Sequence, residues 1–182
     1  MNNAKVILVD HHNNILGEAN KTEAHRKGLL HRAVSVIILN TKKELLLQQR
    51  AQHKYHSGLL WSNTCCTHPT IIENPVEAAK RCLYEEMGIK DIHLKYIFSF
   101  IYKTNVDNNM IEHEYDDVFL GETLATPIIN LQEVANFRWV SLEALVNWVD
   151  QKPYEFTPWF LIIINNHLEK IKGFICDKQL NS

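Results

Sequence analysis

The run Trp61-Ser62-Asn63-Thr64-Cys65-Cys66-Thr67-His68-Pro69 sets a thiol two residues from an imidazole, in a segment that is otherwise small and polar. Alternate side chains of an extended chain share a face, so Cys66 and His68 point the same way and Cys65 faces away. A nearby cation lowers a thiol pKa, which makes the pair a candidate for nucleophilic or acid/base work. The competing reading is that both cysteines fill a core, since free cysteine is among the most buried residue types. A second candidate is Glu112-His113-Glu114. On a strand its two carboxylates share one face and His113 takes the other. A third is Glu73 followed by Arg81, Glu85, Glu86 and Gly88, in which two acids lie about one helical turn from a base. Its bland reading is the solvated face of an amphipathic helix.

Composition narrows the classes. The 182 residues are 46% hydrophobic and 22% charged, which fits one globular domain over residues 1–182 with a sizeable core. The net charge of −2 leaves no basic excess for nucleic acid or an anionic membrane surface. Ten histidines are many for this length, and histidine is the commonest metal ligand. Cys65, Cys66, Cys82 and Cys176 fit neither zinc-knuckle spacing nor a redox Cys-x-x-Cys, so free thiols in a reducing cytosol are expected. The N-terminus lacks the pattern of a signal peptide, and the longest apolar run, 159–164, is too short to span a bilayer. The expectation is a soluble cytoplasmic protein. No Gly-rich dinucleotide loop is visible, so no flavin is expected.

These groups need elements to hold them. Strands are expected at Val6–Val9, Ala33–Leu39 and Glu44–Gln49, the last two as a hairpin around Asn40-Thr-Lys-Lys. Arg50 to Ile72 reads as a long irregular stretch, and such loops in compact domains are usually functional. Asn74-Pro75 caps a helix over Val76–Met87 that stops at Gly88. Lys95–Tyr102 and Ile111–Gly121 read as strands about a polar turn at 104–109, and Phe137–Val140 as another. Ser141 opens a helix to about Asp150, and Thr157-Pro158 caps a last helix ending near Gly173. The class is α+β, with mixed sheets and helices packed on their faces.

Glu73, Arg81, Glu85, Glu86 and Gly88 resemble the Nudix box, a loop-helix-loop whose glutamates bind magnesium. Thr67 stands where that pattern opens with Gly, and Cys82 where a Glu follows the Arg. The segment 61–69, with Trp61-Ser62-Asn63 followed by Cys66-Thr67-His68-Pro69, resembles the Trp-Thr-Asn and Cys-x-His-Pro signature of the type I isopentenyl-diphosphate isomerases, a Nudix-fold branch that has lost hydrolysis. Glu112-His113-Glu114-Tyr115 resembles their Glu-x-Glu signature. The resemblance runs from about Val6 to Lys172. It implies interconversion of isopentenyl and dimethylallyl diphosphate in isoprenoid biosynthesis. It further implies one divalent metal (Mn²⁺, Mg²⁺ or Zn²⁺) held by His25, His31, His68, Glu112 and Glu114. Cys66 and Glu114 match the catalytic cysteine and acid/base, Tyr102 a tyrosine assisting proton transfer, and Trp159 an aromatic over the reacting carbon. Lys21, Arg50 and Lys54 match diphosphate-binding positions. Arg81 either joins them or pairs with Glu85 or Glu86. Glu86 matches a contact to substrate-bound Mg²⁺. For Trp159 alone, core packing competes evenly. His11, His12, His53, His56, His93 and His167 are expected to be solvated.

Two other classes stay open on the residues. One is a Nudix pyrophosphohydrolase acting on a nucleoside diphosphate derivative, opposed by Cys82 and Thr67. The other is a non-enzymatic module with structural zinc, opposed by the mixed His/Glu set, since structural zinc prefers thiolates. The partner expected is the small-molecule substrate alone, bound by a monomer or weak dimer.

Overall fold

A computed structural model describes residues 4–177. The strands are β1 (Lys5–Val9), β2 (Ile15–Asn20), β3 (His31–Leu39), β4 (Leu45–Arg50), β5 (Trp61–Ser62), β6 (Cys65–Thr67), β7 (Leu94–Val106), β8 (Met110–Glu122) and β9 (Val134–Val140). The helices are α1 (Lys21–Lys27), α2 (Pro75–Met87), α3 (Leu142–Gln151) and α4 (Pro158–Asp177), with a single 3-10 turn at Pro153–Glu155. The expected α+β class holds. All the strands join one mixed sheet, in which β3 runs parallel to β8 and its other pairings are antiparallel.

β3 organises the fold. Its nine residues HRAVSVIIL are buried except for Arg32, which is half-buried. A strand covered on both faces reads as a continuous apolar run. Val34, Val36 and Ile38 point to one side and pack with Ala78, Ala79, Cys82, Leu83 and Met87 of α2. Ile37 and Leu39 point to the other and pack with Phe160, Ile163, Ile164 and Ile171 of α4. The polar Ser35 and small Ala33 lie on this second side toward the start of the strand, where apolar packing gives way to the cavity described below.

The expected hairpin is corrected in part. Its turn forms: the Asn40 side-chain oxygen accepts from the backbone N–H of Lys42 at 2.9 Å and of Glu44 at 3.0 Å. The strands then part after a single pairing, Leu39 with Leu45. β3 goes on to β6 and β8, and β4 to β5 and β9. β3 pairs along all nine of its residues with the longer β8 and along three with β6, so it gains more ladder than a short hairpin partner would give.

The helix α2 starts and stops as expected. The Asn74 side chain accepts from the Glu77 N–H at 3.0 Å, Pro75 takes the first turn, and Gly88 closes the helix at φ +68°. Alpha helix α4 runs one turn past the expected Gly173, to Asp177. β2, α1, β5 and β6 had no counterpart among the expected elements. No helix among the described residues is long and apolar enough to cross a membrane.

Candidate active site

The two β-strands that flank β3 carry the reactive groups. On one edge β6 pairs Cys66 with Ser35; on the other β8 pairs Glu114 with His31. Between them opens a cavity of about 450 Å³, lined by Cys66, His68, Tyr102, Glu112, Glu114 and Trp159 and by the cations Lys21, Arg50, Lys54 and Arg81.

The Cys66 thiol donates to Asn63 Oδ1 at 3.2 Å and lies 3.5 Å from Ser35 Oγ. Ser35 in turn donates to Asp116 Oδ2 at 2.7 Å. Burial pushes the thiol up from its ordinary value, and the nearby Asp116 carboxyl adds to this. The thiol is therefore held in its neutral form, and the depressed-pKa thiol suggested by spacing alone is corrected. Cys65 faces the other way, fully buried in the α2 cluster.

Glu114 is engaged through both of its oxygens. It accepts from the Tyr102 hydroxyl at 2.6 Å, and its other oxygen lies 2.8 Å from His68 Nε2 and 3.5 Å from His31 Nε2. Burial disfavours its charge, but contacts with His31 and His68 outweigh that and hold it well below the usual carboxylate range. Burial, reinforced by Glu114, pushes the Tyr102 hydroxyl well above its ordinary value.

The histidines are oriented from behind. His25 Nδ1 donates to Lys21 O at 2.7 Å and His31 Nδ1 to Leu29 O at 2.8 Å, which assigns each tautomer and turns the Nε2 lone pairs inward. His31 Nε2 meets His68 Nε2 at 3.2 Å. Burial brings His68 down to about 4, so it is neutral near pH 7, as a ligand must be. The donor atoms of His25, His31, His68 and Glu114 lie within 4.8 Å of one another, and those of His25, His56 and Glu112 form an adjoining group. His25 Nε2 is 3.2 Å from Glu112 and His56 Nε2 is 2.8 Å, yet neither approach is aligned as a hydrogen bond. Buried nitrogens and oxygens that converge without bonding one another are the donor set a divalent cation would satisfy, and the mixture of imidazole and carboxylate suits Mn²⁺, Zn²⁺ or Mg²⁺.

His56 is the main correction. It is buried at 3% exposure against Glu112, although it was expected to be solvated. His167 is half-buried, its ring 4.8 Å from Phe98 and 4.9 Å from Phe100. His11, His12, His53 and His93 are exposed. His113 takes the face opposite Glu112 and Glu114 and bonds Gly28 O at 2.8 Å.

The cations do not stand alone. Arg81 is bidentate to Glu73, at 2.8 and 3.0 Å, and reaches Glu85 at 3.3 Å, so it ties α2 to the preceding loop rather than pairing with Glu86. Lys54 pairs with Glu133, a cavity residue the sequence did not single out. Burial lowers the Lys21 ammonium against the opposing pull of Glu112. The Arg50 guanidinium sits 5.2 Å over the Trp159 ring. Glu86 accepts from Gln48 at 2.8 Å, and burial raises its carboxyl.

The NUDIX domain family matches residues 29–160. Isopentenyl-diphosphate Delta-isomerase 2 of Photorhabdus laumondii is 49% identical over 160 residues, covering 88% of this chain and 90% of that protein. The chain belongs to the isopentenyl-diphosphate Delta-isomerase family. A second member, the isopentenyl-diphosphate Delta-isomerase of Pectobacterium atrosepticum, is 46% identical over 86% of this chain and 87% of its own. The solved structure of DR0079 from Deinococcus radiodurans matches with a TM-score of 0.69 at 18% identity, over 81% of this chain and 90% of that one, which shows the fold. Within the isomerase family's NUDIX fold, Cys82 of this chain stands at the position where the Nudix box has a glutamate, and packs instead among the apolar residues of α2.

Proposed function

We propose that this enzyme interconverts isopentenyl and dimethylallyl diphosphate by adding and removing a proton through a tertiary carbocation. One observation carries the reading. A single cavity gathers a thiol, a hydrogen-bonded Glu114–Tyr102 pair, an indole and four cations, while Cys82 replaces a carboxylate that hydrolysis would use.

The diphosphate enters with Mg²⁺. Lys21, Arg50 and Lys54 neutralise it, Arg81 borders it, and Glu86 faces the substrate's Mg²⁺. Lys54 exchanges Glu133 for the substrate. An unactivated alkene is a poor base, so it needs a positioned acid and a stabilised cation. One of Cys66 and Glu114 delivers a proton to the terminal carbon, and the other takes one from the neighbouring methylene. Tyr102, bonded to Glu114, orients or relays that proton. The Trp159 face stabilises the cation by about 2 kcal/mol or more once water is excluded. His25, His31, His68, Glu112 and Glu114 would hold a Mn²⁺, Mg²⁺ or Zn²⁺ ion, with His56 supporting Glu112, and the charge of such an ion would keep Glu114 ionised and fixed in place.

The reading takes residues 1–182 as one catalytic unit, a monomer or weak dimer. The cysteine spacing, which fits neither a zinc knuckle nor a redox Cys-x-x-Cys pair, supports a cytoplasmic setting. The test is incubation with isopentenyl diphosphate and Mg²⁺ beside a panel of nucleoside diphosphate derivatives. Dimethylallyl diphosphate without phosphate release is expected. Phosphate release from nucleotides, with no allylic product, would favour a pyrophosphohydrolase.

A further inference from the structure

Asn63 lies between the thiol and the indole and is 1% exposed. Its amide uses every hydrogen-bonding position it has. Nδ2 donates to Val36 O at 3.2 Å and to Cys65 O at 2.9 Å, so the amide cannot flip without setting oxygen against two carbonyls. Oδ1 therefore faces the site, where it accepts from Ser62 Oγ at 3.0 Å and from Cys66 Sγ at 3.2 Å. Ser62 Oγ in turn accepts from Trp159 Nε1 at 3.0 Å and lies 2.9 Å from Thr157 Oγ1. The result is a buried chain, Trp159 N–H to Ser62 O–H to Asn63 C=O, met from the other side by the Cys66 S–H. The chain crosses from β5 and β6 to the first turn of α4.

We infer that Ser62 and Asn63 are positioning residues that lock the Trp159 indole and the Cys66 thiol into one mutual register. The inference rests on the isomerase reading for its purpose. A proton donor must meet one carbon while an aromatic face covers the cation that results, and neither is useful if displaced. A misplacement of about 1 Å costs about 10²-fold in rate. Asn63 fixes where the thiol proton points, because both acceptors near Cys66 are then set: Asn63 Oδ1, and Ser35 Oγ, whose own proton goes to Asp116. Ser62 fixes the indole plane by accepting from the Trp159 Nε1–H. A fully satisfied network of this kind specifies one geometry, and its members act as a unit.

The experiment uses the metal-loaded protein. Asn63→Ala should lower kcat by about 10²-fold with KM unchanged, because diphosphate binding does not involve it. Ser62→Ala should also lower kcat, and Ser62→Thr, which keeps the hydroxyl, should restore it. Trp159→Phe keeps a ring but loses the N–H. In the Ser62→Ala background it should cost less than in wild type, since the bond it breaks is already gone. An infrared difference against Cys66→Ala picks out the Cys66 S–H stretch, and this band should shift in Asn63→Ala without any turnover being needed. Folded Ser62→Ala with wild-type kcat, or losses from Ser62→Ala and Trp159→Phe that simply multiply, would overturn the coupling. An unshifted S–H band in Asn63→Ala would overturn the bond to the thiol. A shifted band in a protein whose wild type makes no dimethylallyl diphosphate would support the chain of bonds and sink the isomerase reading instead.

Discussion

Cys66 and Cys65 are adjacent in sequence, but their side chains take opposite faces of β6. Cys66 borders the cavity between Asn63 and Ser35, whereas Cys65 lies fully buried against α2, where burial raises its thiol to about 11. Replacing Cys66 by Ala should cost about 10²–10⁴-fold in isomerase activity, the usual contribution of a general acid or base. Cys65→Ala should keep most of the activity and lose about 1 kcal/mol of stability. Steady-state rates beside melting curves check both, and equal losses in two folded variants would contradict the assignment. The two-residue spacing of Cys66 and His68, and of Glu112 and Glu114, was readable because strand periodicity is short and strict. His56 was not, because a lone histidine in a loop has no period and its partner Glu112 is remote in sequence. The polar-aromatic run Lys54-Tyr55-His56-Ser57 inside a long loop was the one available signal. Asn63 was visible only as the Asn of the family signature; its four hydrogen bonds are encoded by no spacing rule.

Long elements were legible and short ones were not. Alpha helix α2 carries a cap, a first-turn proline, a terminal glycine and an apolar face, so several independent signals agree. β2 shows no burial alternation, with a pattern from exposed to half-buried throughout, and α1 has only seven residues. Too few turns exist in such a helix to reveal a period. The two- and three-residue strands β5 and β6 exist because β4 and β3 offer them open edges, which is tertiary information. The Glu73–Arg81 pair of the Nudix box ties α2 to the preceding loop. Bonding to Arg81 lowers the Glu73 carboxyl below its ordinary 4.5, against a smaller opposing effect of burial. A carboxyl depressed in the folded state stabilises above its unfolded value, and that stability is lost as pH falls through the lowered folded value. Glu73→Gln should therefore melt earlier than wild type at pH 7, and the gap should close as pH falls below about 4.5. A gap unchanged down to pH 3 would show that the Arg81 pair contributes nothing.

The whole molecule is a sheet clamped between α2 on one face and α3 and α4 on the other, with the reactive groups where the two neighbours of β3 diverge. Ligands drawn from α1, β3, the turn after β6, and β8 would make a bound metal a cross-link between distant segments. Stripping it with a chelator should abolish activity and lower the melting temperature together, because a ligand bound only by the folded state stabilises that state. Activity should return with Mn²⁺, Zn²⁺ or Mg²⁺, and unchanged melting after verified removal would count against the His/Glu site. The central claim is that this cavity moves protons on and off carbon. It is tested most directly by converting isopentenyl diphosphate with Mg²⁺ in deuterated water and examining the product by NMR. The account predicts dimethylallyl diphosphate bearing solvent deuterium in its new methyl group, with the diphosphate intact. Product formed without solvent deuterium, or phosphate released with no allylic product, would contradict it.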